Sequence, residues 1–342
     1  MPHRSIHIVA VPGETMNAYP GIMFLIGLVI IILGAELVLL GAARFAALLG
    51  IKPIIIGLTI VAIGTSTPEL AIGIKAVAEG QSPMAVGTIA GTNIVNLLLI
   101  LGLSAAIRPL PLELQTIKLD APVMVASALG LFVMAMDGVL SRWDGAILLL
   151  AAVAYTIALV IQSRRESSRI RQEFNAEYGP RHRLSARSVK PGLWNLLLQF
   201  AGMLLTAIGA SFMVDGAVNI AGACGISGAI IGLTIVAIGT SAPELVTTIM
   251  ATLRNDRDVA VGNLIGSAIS NILVILGLIC VTSPHGVEIS ADLLAIDLPL
   301  TVLVALLCVT IFRRDHMVSR RDGLVFVATY LSYLASLIWI RA

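Results

Sequence analysis

Two glutamates each follow a proline inside an otherwise apolar stretch. Glu69 closes Gly64-Thr65-Ser66-Thr67-Pro68-Glu69, and Glu244 closes Gly239-Thr240-Ser241-Ala242-Pro243-Glu244. On a helix, Ala62, Thr65, Ser66 and Glu69 fall within an arc of roughly 100°, as do Ala237, Thr240, Ser241 and Glu244. A proline donates no backbone hydrogen bond, so Pro68 and Pro243 are expected to strip the Gly64 and Gly239 carbonyls of their partners. The glycines leave the backbone deformable there. The next apolar stretch of each half adds a polar stripe at i, i+4, i+8: Thr88, Thr92 and Asn96, then Asn263, Ser267 and Asn271. All of these side chains present oxygen. Hard cations such as Ca²⁺ take six to eight oxygens, whereas softer metals favour imidazole or thiolate. No histidine lies well inside an apolar stretch, and Cys224, Cys280 and Cys308 form no CxxC pair and avoid these motifs. Two carboxylates balance one Ca²⁺ and are costly in a membrane if left unpaired.

Packing roles compete with this chemistry. A membrane Thr or Ser often bonds its own i−4 carbonyl, and Asn often joins helices, so Thr88 and Asn263 taken singly fit either role. Packing does not explain a glutamate placed twice beside a proline break. Glu36 and Asp215 have Ser211 and Leu40 at the equivalent positions, so neither acid is duplicated. Asp120 and Asp297 each precede a proline by two residues, where capping a helix N-terminus is the expected task.

The elements that must hold these residues are membrane spans. Of 342 residues, 58% are hydrophobic and 12% charged, with mean hydropathy +0.98. That composition cannot cover a soluble domain with polar surface, and the charges gather between apolar runs of about 20 residues, the length that crosses a bilayer core. A net charge of +2 without a basic, aromatic-interleaved stripe excludes a nucleic-acid partner. Met1 to Pro20 is too mixed for a cleaved leader or a transit peptide. Ten helices are expected near 21–45, 52–78, 84–107, 119–138, 143–162, 192–221, 226–252, 259–282, 292–312 and 321–341. The connection 163–191 carries eight basic residues counted from Arg164 to Lys190, which places it in the cytoplasm and both termini outside. With that sidedness, 18 of the 22 Lys and Arg lie inside; Arg4, Lys75, Arg142 and Arg341 are the exceptions.

An internal repeat organises the spans. Residues 55–70 read IIGLTIVAIGTSTPEL and residues 230–245 read IIGLTIVAIGTSAPEL, with Thr67 against Ala242 as the one difference. The same offset relates Gly34 to Gly209 and Gly102 to Gly277. Each half, 21–162 and 192–341, then owns five spans. An odd number turns equivalent helices upside down, the plan of transporters that bind substrate where inverted halves meet.

These paired motifs, with Gly91-Thr92-Asn93 and Gly266-Ser267, resemble the alpha-repeats of the cation/calcium exchanger superfamily, and most of all its bacterial and archaeal sodium/calcium exchangers. The resemblance implies an all-α membrane fold of ten helices in two five-helix inverted repeats. It implies Ca²⁺ held by Glu69 and Glu244 with help from Thr65 and Thr240, and Na⁺ positions drawing on Ala62, Ser66, Ala237, Ser241, Thr92 and Ser267. Two residues depart from the pattern: Asn271 stands where many members carry Asp, and Ala268 where they carry Asn. Asn96 and Asn271 therefore make a neutral pair beside the glutamates, the site charge is −2, and transport should not need K⁺. Asn271→Asp should add a third charge.

The expected function is Ca²⁺ export against Na⁺ entry by alternating access, in the cell membrane, with no cofactor beyond the transported ions and no obligate protein partner. Ca²⁺/H⁺ exchange is the alternative within the class. A cation channel fits mirror-related breaks less well, and a membrane hydrolase would need an HExxH, a metal triad or a Ser/His pair that the spans lack.

Overall fold

The computed structural model describes residues 20–49, 53–177, 189–224 and 237–341. Among these, eight helices are long and apolar enough to cross a membrane: Pro20–Ala42, Ile54–Ala78, Ser82–Ile107, Thr116–Asp137, Arg142–Gln162, Trp194–Ala221, Arg257–Thr282 and Leu293–Asp315. Their ends lie within a few residues of the expected spans. Where two further spans were expected stand the broken run Ala237–Thr240 and Ala242–Leu253, and the helix Arg320–Arg341. The segment 225–236, part of the span expected at 226–252, lies outside the described residues.

Helix is the economical answer for such sequences, because lipid offers no partner to a backbone N–H or C=O. Local signals set the ends. Ser141 caps the helix starting at Arg142: its N–H and hydroxyl donate to Asp144 Oδ2 at 2.8 and 2.7 Å, and the Asp144 N–H returns a bond to Ser141 Oγ at 3.3 Å. Ser319 and Asp322 repeat this capping box before the last helix. Gly138 and Gly286, at φ 87° and 81°, make the left-handed turns that reverse the chain.

Two expectations change. The connection 163–191 is not all loop: helix runs from Arg142 to Glu177 and resumes at Val189, with 178–188 outside the described residues. Residues 163–177 contain neither proline nor glycine, so nothing stops the helix before Gly179-Pro180. Asp120 and Asp297 make no side-chain cap bond. Each instead accepts from a tyrosine far along the chain, Tyr155 to Asp120 at 3.0 Å and Tyr333 to Asp297 at 3.1 Å. The helical fold stands as expected, with two short ladders joining its loops. Leu110–Pro111 pairs antiparallel with Met317–Val318, and Val139–Leu140 with Val287–Glu288.

Those two ladders each join one half of the chain to the other, and other contacts repeat the arrangement. Arg142 Nε donates to the Ser283 carbonyl at 2.8 Å, and Arg320 donates to the Ile107 carbonyl at 3.4 Å. Gly102 lies against the Gly323 carbonyl and Gly277 against that of Gly145. The centre is built from the two most buried spans, Ser82–Ile107 and Arg257–Thr282.

The long helices Pro20–Leu49 and Val189–Ala223 pack antiparallel through glycines. A Cβ added at Gly34 would lie 2.7 Å from the Thr206 nitrogen, and one at Gly209 2.7 Å from that of Ile31. The second of these helices also covers both prolyl breaks, with Met203 over Gly64 and Val214 over Gly239. An ion pair between Glu36 and Arg254 ties the first long helix to the end of Ala242–Leu253.

Candidate ion-binding site

Both proline motifs break their helices at the same place. Ser66, with φ −85° and ψ 9°, separates Ala62–Thr65 from Thr67–Ala78, and Ser241, at −90° and 9°, separates Ala237–Thr240 from Ala242–Leu253. The Gly64 carbonyl is not freed as expected, because backbone N–H groups at the cap reach the carbonyls of Ala62 and Gly64. The break lets the chain turn while keeping its hydrogen bonds. It also puts Glu69 and Glu244 in the first turn of a new helix, where the positive end of the helix dipole favours a negative charge.

The flanking spans change geometry beside these breaks. Helix Ser82–Ile94 becomes a π-helix over Val95–Ile100, and Arg257–Ser270 becomes one over Asn271–Leu276. Asn96 and Asn271 sit at the start of these wide turns. π segments cluster at functional sites because they displace side chains from the regular stripe. Thr67–Ala78 packs on Asn271–Leu276, and Ala242–Leu253 on Val95–Ile100, so each glutamate's helix faces the other half's asparagine segment.

Glu69, Glu244, Ser66, Ser241, Asn96, Ser267 and Asn271 are fully buried, and Thr65 and Thr92 nearly so. The Thr65 hydroxyl lies 3.2 Å from the Ala62 carbonyl, 3.4 Å from Asn263 Oδ1 and 3.5 Å from Ser267 Oγ. Ser66 Oγ donates to Glu244 Oε1 at 3.4 Å, a contact across the two breaks. Asn263 donates to Thr248 Oγ1 at 3.0 Å, and Asn93 lies between the halves, bonded to the Ala268 carbonyl and to Asn271. Thr240 is half-buried, and Ala237 is described in its backbone alone. Thr88 leaves the site: it is only half-buried and its hydroxyl bonds the Met84 carbonyl at 2.8 Å.

Many polar atoms here lack partners. Both Glu69 oxygens, Glu244 Oε2, both amide atoms of Asn96, Asn271 Oδ1, Ser241 Oγ and Thr247 Oγ1 are buried without a hydrogen bond. Thr92 lies beside Glu69 but falls short of bonding geometry. Among the described residues no Lys, Arg or His is buried, so no protein cation offsets the two carboxylates. A buried ion without compensation costs several kcal/mol, so these carboxylates must either be protonated or sit beside a cation from outside the chain. The chamber's donors are all oxygen, the set that hard cations take.

Thr247, Thr248 and Asn93 were not picked out as site residues from the sequence. Thr247 and Thr248 follow Glu244 by three and four residues, a helix-face spacing that signals their place, but Ile72 and Gly73 hold the equivalent positions in the first half.

A multi-pass helical chain that buries unpaired carboxylates between broken helices has the architecture of a membrane ion-transport protein. Its sequence matches the family model described as sodium/calcium exchanger protein over residues 19–161 and 194–339. The chain belongs to that family of antiporters. It is 33% identical to inner membrane protein YrbG of Escherichia coli over 73% of this chain and 75% of the relative. It is 32% identical to the sodium/calcium exchanger MaX1 of Methanosarcina acetivorans, over 74% of this chain and 79% of that one. The solved structure of the sodium-calcium exchanger NCX_Mj, soaked without Na⁺ or Ca²⁺, superposes with TM-score 0.77 at 29% identity, covering 93% of this chain and 98% of that one.

Proposed function

We propose that this protein exports Ca²⁺ in exchange for entering Na⁺ by alternating access at the chamber between the two breaks. The observation that carries the reading is the pair of buried carboxylates, with three of their four oxygens unpartnered and no buried basic residue to neutralise them. Glu69 and Glu244 are the Ca²⁺ ligands, supported by Thr65 and Thr240. Na⁺ ions draw on Ala62, Ser66 and Thr92 on one side and Ala237, Ser241 and Ser267 on the other, and Asn96 and Asn271 supply neutral oxygens. One bound Ca²⁺ or two Na⁺ would cancel the −2 charge, so the two cargoes compete for the same chamber.

In this reading the chain forms ten spans in two inverted five-helix halves, 21–162 and 192–341, with the basic connection 163–191 in the cytoplasm and both termini outside. The cross-half ladders and the mirrored arginine contacts support the inverted arrangement. Because the site offers no third carboxylate, transport runs without K⁺.

Calcium uptake into proteoliposomes tests this directly. A Na⁺ gradient should drive uptake with K⁺ replaced by choline, and a pH gradient alone should not. Uptake driven by pH but not by Na⁺ would make the protein a Ca²⁺/H⁺ antiporter, and collapse of Na⁺-driven flux without K⁺ would overturn the charge count.

A further inference from the structure

Asn93 occupies the crossing point of the two halves. Its side-chain nitrogen donates to the backbone carbonyl of Ala268, its own counterpart 175 residues away, at 3.0 Å. Its oxygen accepts from Asn271 Nδ2, also at 3.0 Å. Both asparagines are buried, with 2% and 0% of their surface exposed. A carbonyl offers lone pairs and no proton, so the Ala268 carbonyl fixes which end of the Asn93 amide faces it. The opposite orientation would set two acceptors against each other without water to relieve them. Asn93 must then present its oxygen to residue 271, and Asn271 must answer with its NH₂. What remains unbonded is Asn271 Oδ1, which is buried.

We propose that Asn93 is a positioning residue that holds Asn271 with its carbonyl oxygen, rather than its NH₂, toward the transported cation. This deepens the reading of the Glu69 and Glu244 site and rests on it. The two ends of an amide have opposite effects on a cation: the oxygen coordinates it and the NH₂ repels it. Without Asn93, Asn271 is free to turn its NH₂ inward and satisfy it on a glutamate oxygen, in the place of the ion. The other half has no such device. Position 268 is alanine, and both amide atoms of Asn96 lack partners. One wall of the chamber is thus fixed as a cation-binding oxygen, while the opposite amide is left to turn.

The test is a double-mutant cycle in full-length protein reconstituted into liposomes. Asn93→Leu should raise the KM for Ca²⁺ about tenfold, equivalent to about 1.4 kcal/mol, with a smaller change in kcat. In an Asn271→Ala background the same substitution should add no further rise, because the group being positioned is gone. An unchanged KM in Asn93→Leu, or an equal rise with and without Asn271, would overturn the proposal and leave Asn93 a packing contact between helices. If Asn93→Leu does not fold, Asn93→Ala in detergent, read by equilibrium ⁴⁵Ca²⁺ binding, gives the same two comparisons. Glu69→Gln run alongside separates the two levels of the argument. Retained Ca²⁺ flux in Glu69→Gln refutes the site itself, whereas lost flux with a normal Asn93→Leu KM refutes only the positioning.

Discussion

The two halves of this protein carry nearly the same sixteen-residue string, yet their sites are not alike. The frame is duplicated faithfully: both breaks fall on a serine with the same backbone angles, and both asparagines open a π-helical turn. The lining differs. Glu244 receives Ser66, whereas both oxygens of Glu69 are unpartnered. Asn271 is held and Asn96 is not. Thr248 bonds Asn263 where its counterpart Gly73 instead makes room for Ile279. Backbone geometry followed the duplicated proline and glycine pattern, while asymmetry entered through single side chains that touch across the halves.

The largest expected effect tests what the halves share. Glu69→Gln and Glu244→Gln should each abolish Na⁺-driven Ca²⁺ uptake, at least about a hundredfold, equivalent to about 2.7 kcal/mol, since each removes half of the charge that balances Ca²⁺. Purified protein should keep its helical circular dichroism. Substantial flux in one variant alone would mean that the halves divide the task rather than share it.

A smaller effect should set the halves apart. An alanine methyl at Gly64 meets the end of Met203, an unbranched chain that can swing aside, whereas one at Gly239 meets the stiff, β-branched Val214. Gly239→Ala should therefore destabilise the protein by about 1–3 kcal/mol and Gly64→Ala by less. Thermal unfolding in detergent compares them, and equal losses would show that helix flexibility rather than the covering side chain decides.

The smallest effect concerns the buried acids. Tyr155→Phe and Tyr333→Phe each remove one hydrogen bond to an aspartate, worth about 0.5–1.5 kcal/mol. Tyr155→Phe should cost more, because Asp120 Oδ2 already lacks a partner and the change also removes the hydrogen bond to Oδ1. A larger loss from Tyr333→Phe in the same unfolding assay would reverse that ranking.

Much of this was legible in the sequence because it rests on local rules. Apolar run length gave the eight long apolar helices, and proline spacing gave the breaks and the first turns that hold Glu69 and Glu244. What escaped was set by contacts between distant residues. Asp120 and Asp297 read as helix caps because their tyrosines lie 35 and 36 residues further on. Thr88 fitted either the stripe or a bond to its own i−4 carbonyl, and spacing alone could not choose the bond to Met84 that forms. The expectation that Asn271→Asp would simply add a charge treated residue 271 as an isolated ligand. In the structure it is a donor to Asn93, and a carboxylate cannot donate.

The glycines that join the two long helices fall at Gly27, Gly34 and Gly41 on one and Gly202, Gly209 and Gly216 on the other. Seven residues are close to two helical turns, so each set forms a straight seam, and the two backbones meet without side chains wedged between them. Packed backbone to backbone along this seam, the pair forms one rod. Met203 and Val214, eleven positions apart on that rod, stand about 16 Å from each other along its axis, one over each break. A lengthwise or tilting displacement of the rod would therefore reach both breaks together, more firmly through Val214 than through the pliable Met203, as one camshaft drives two valves.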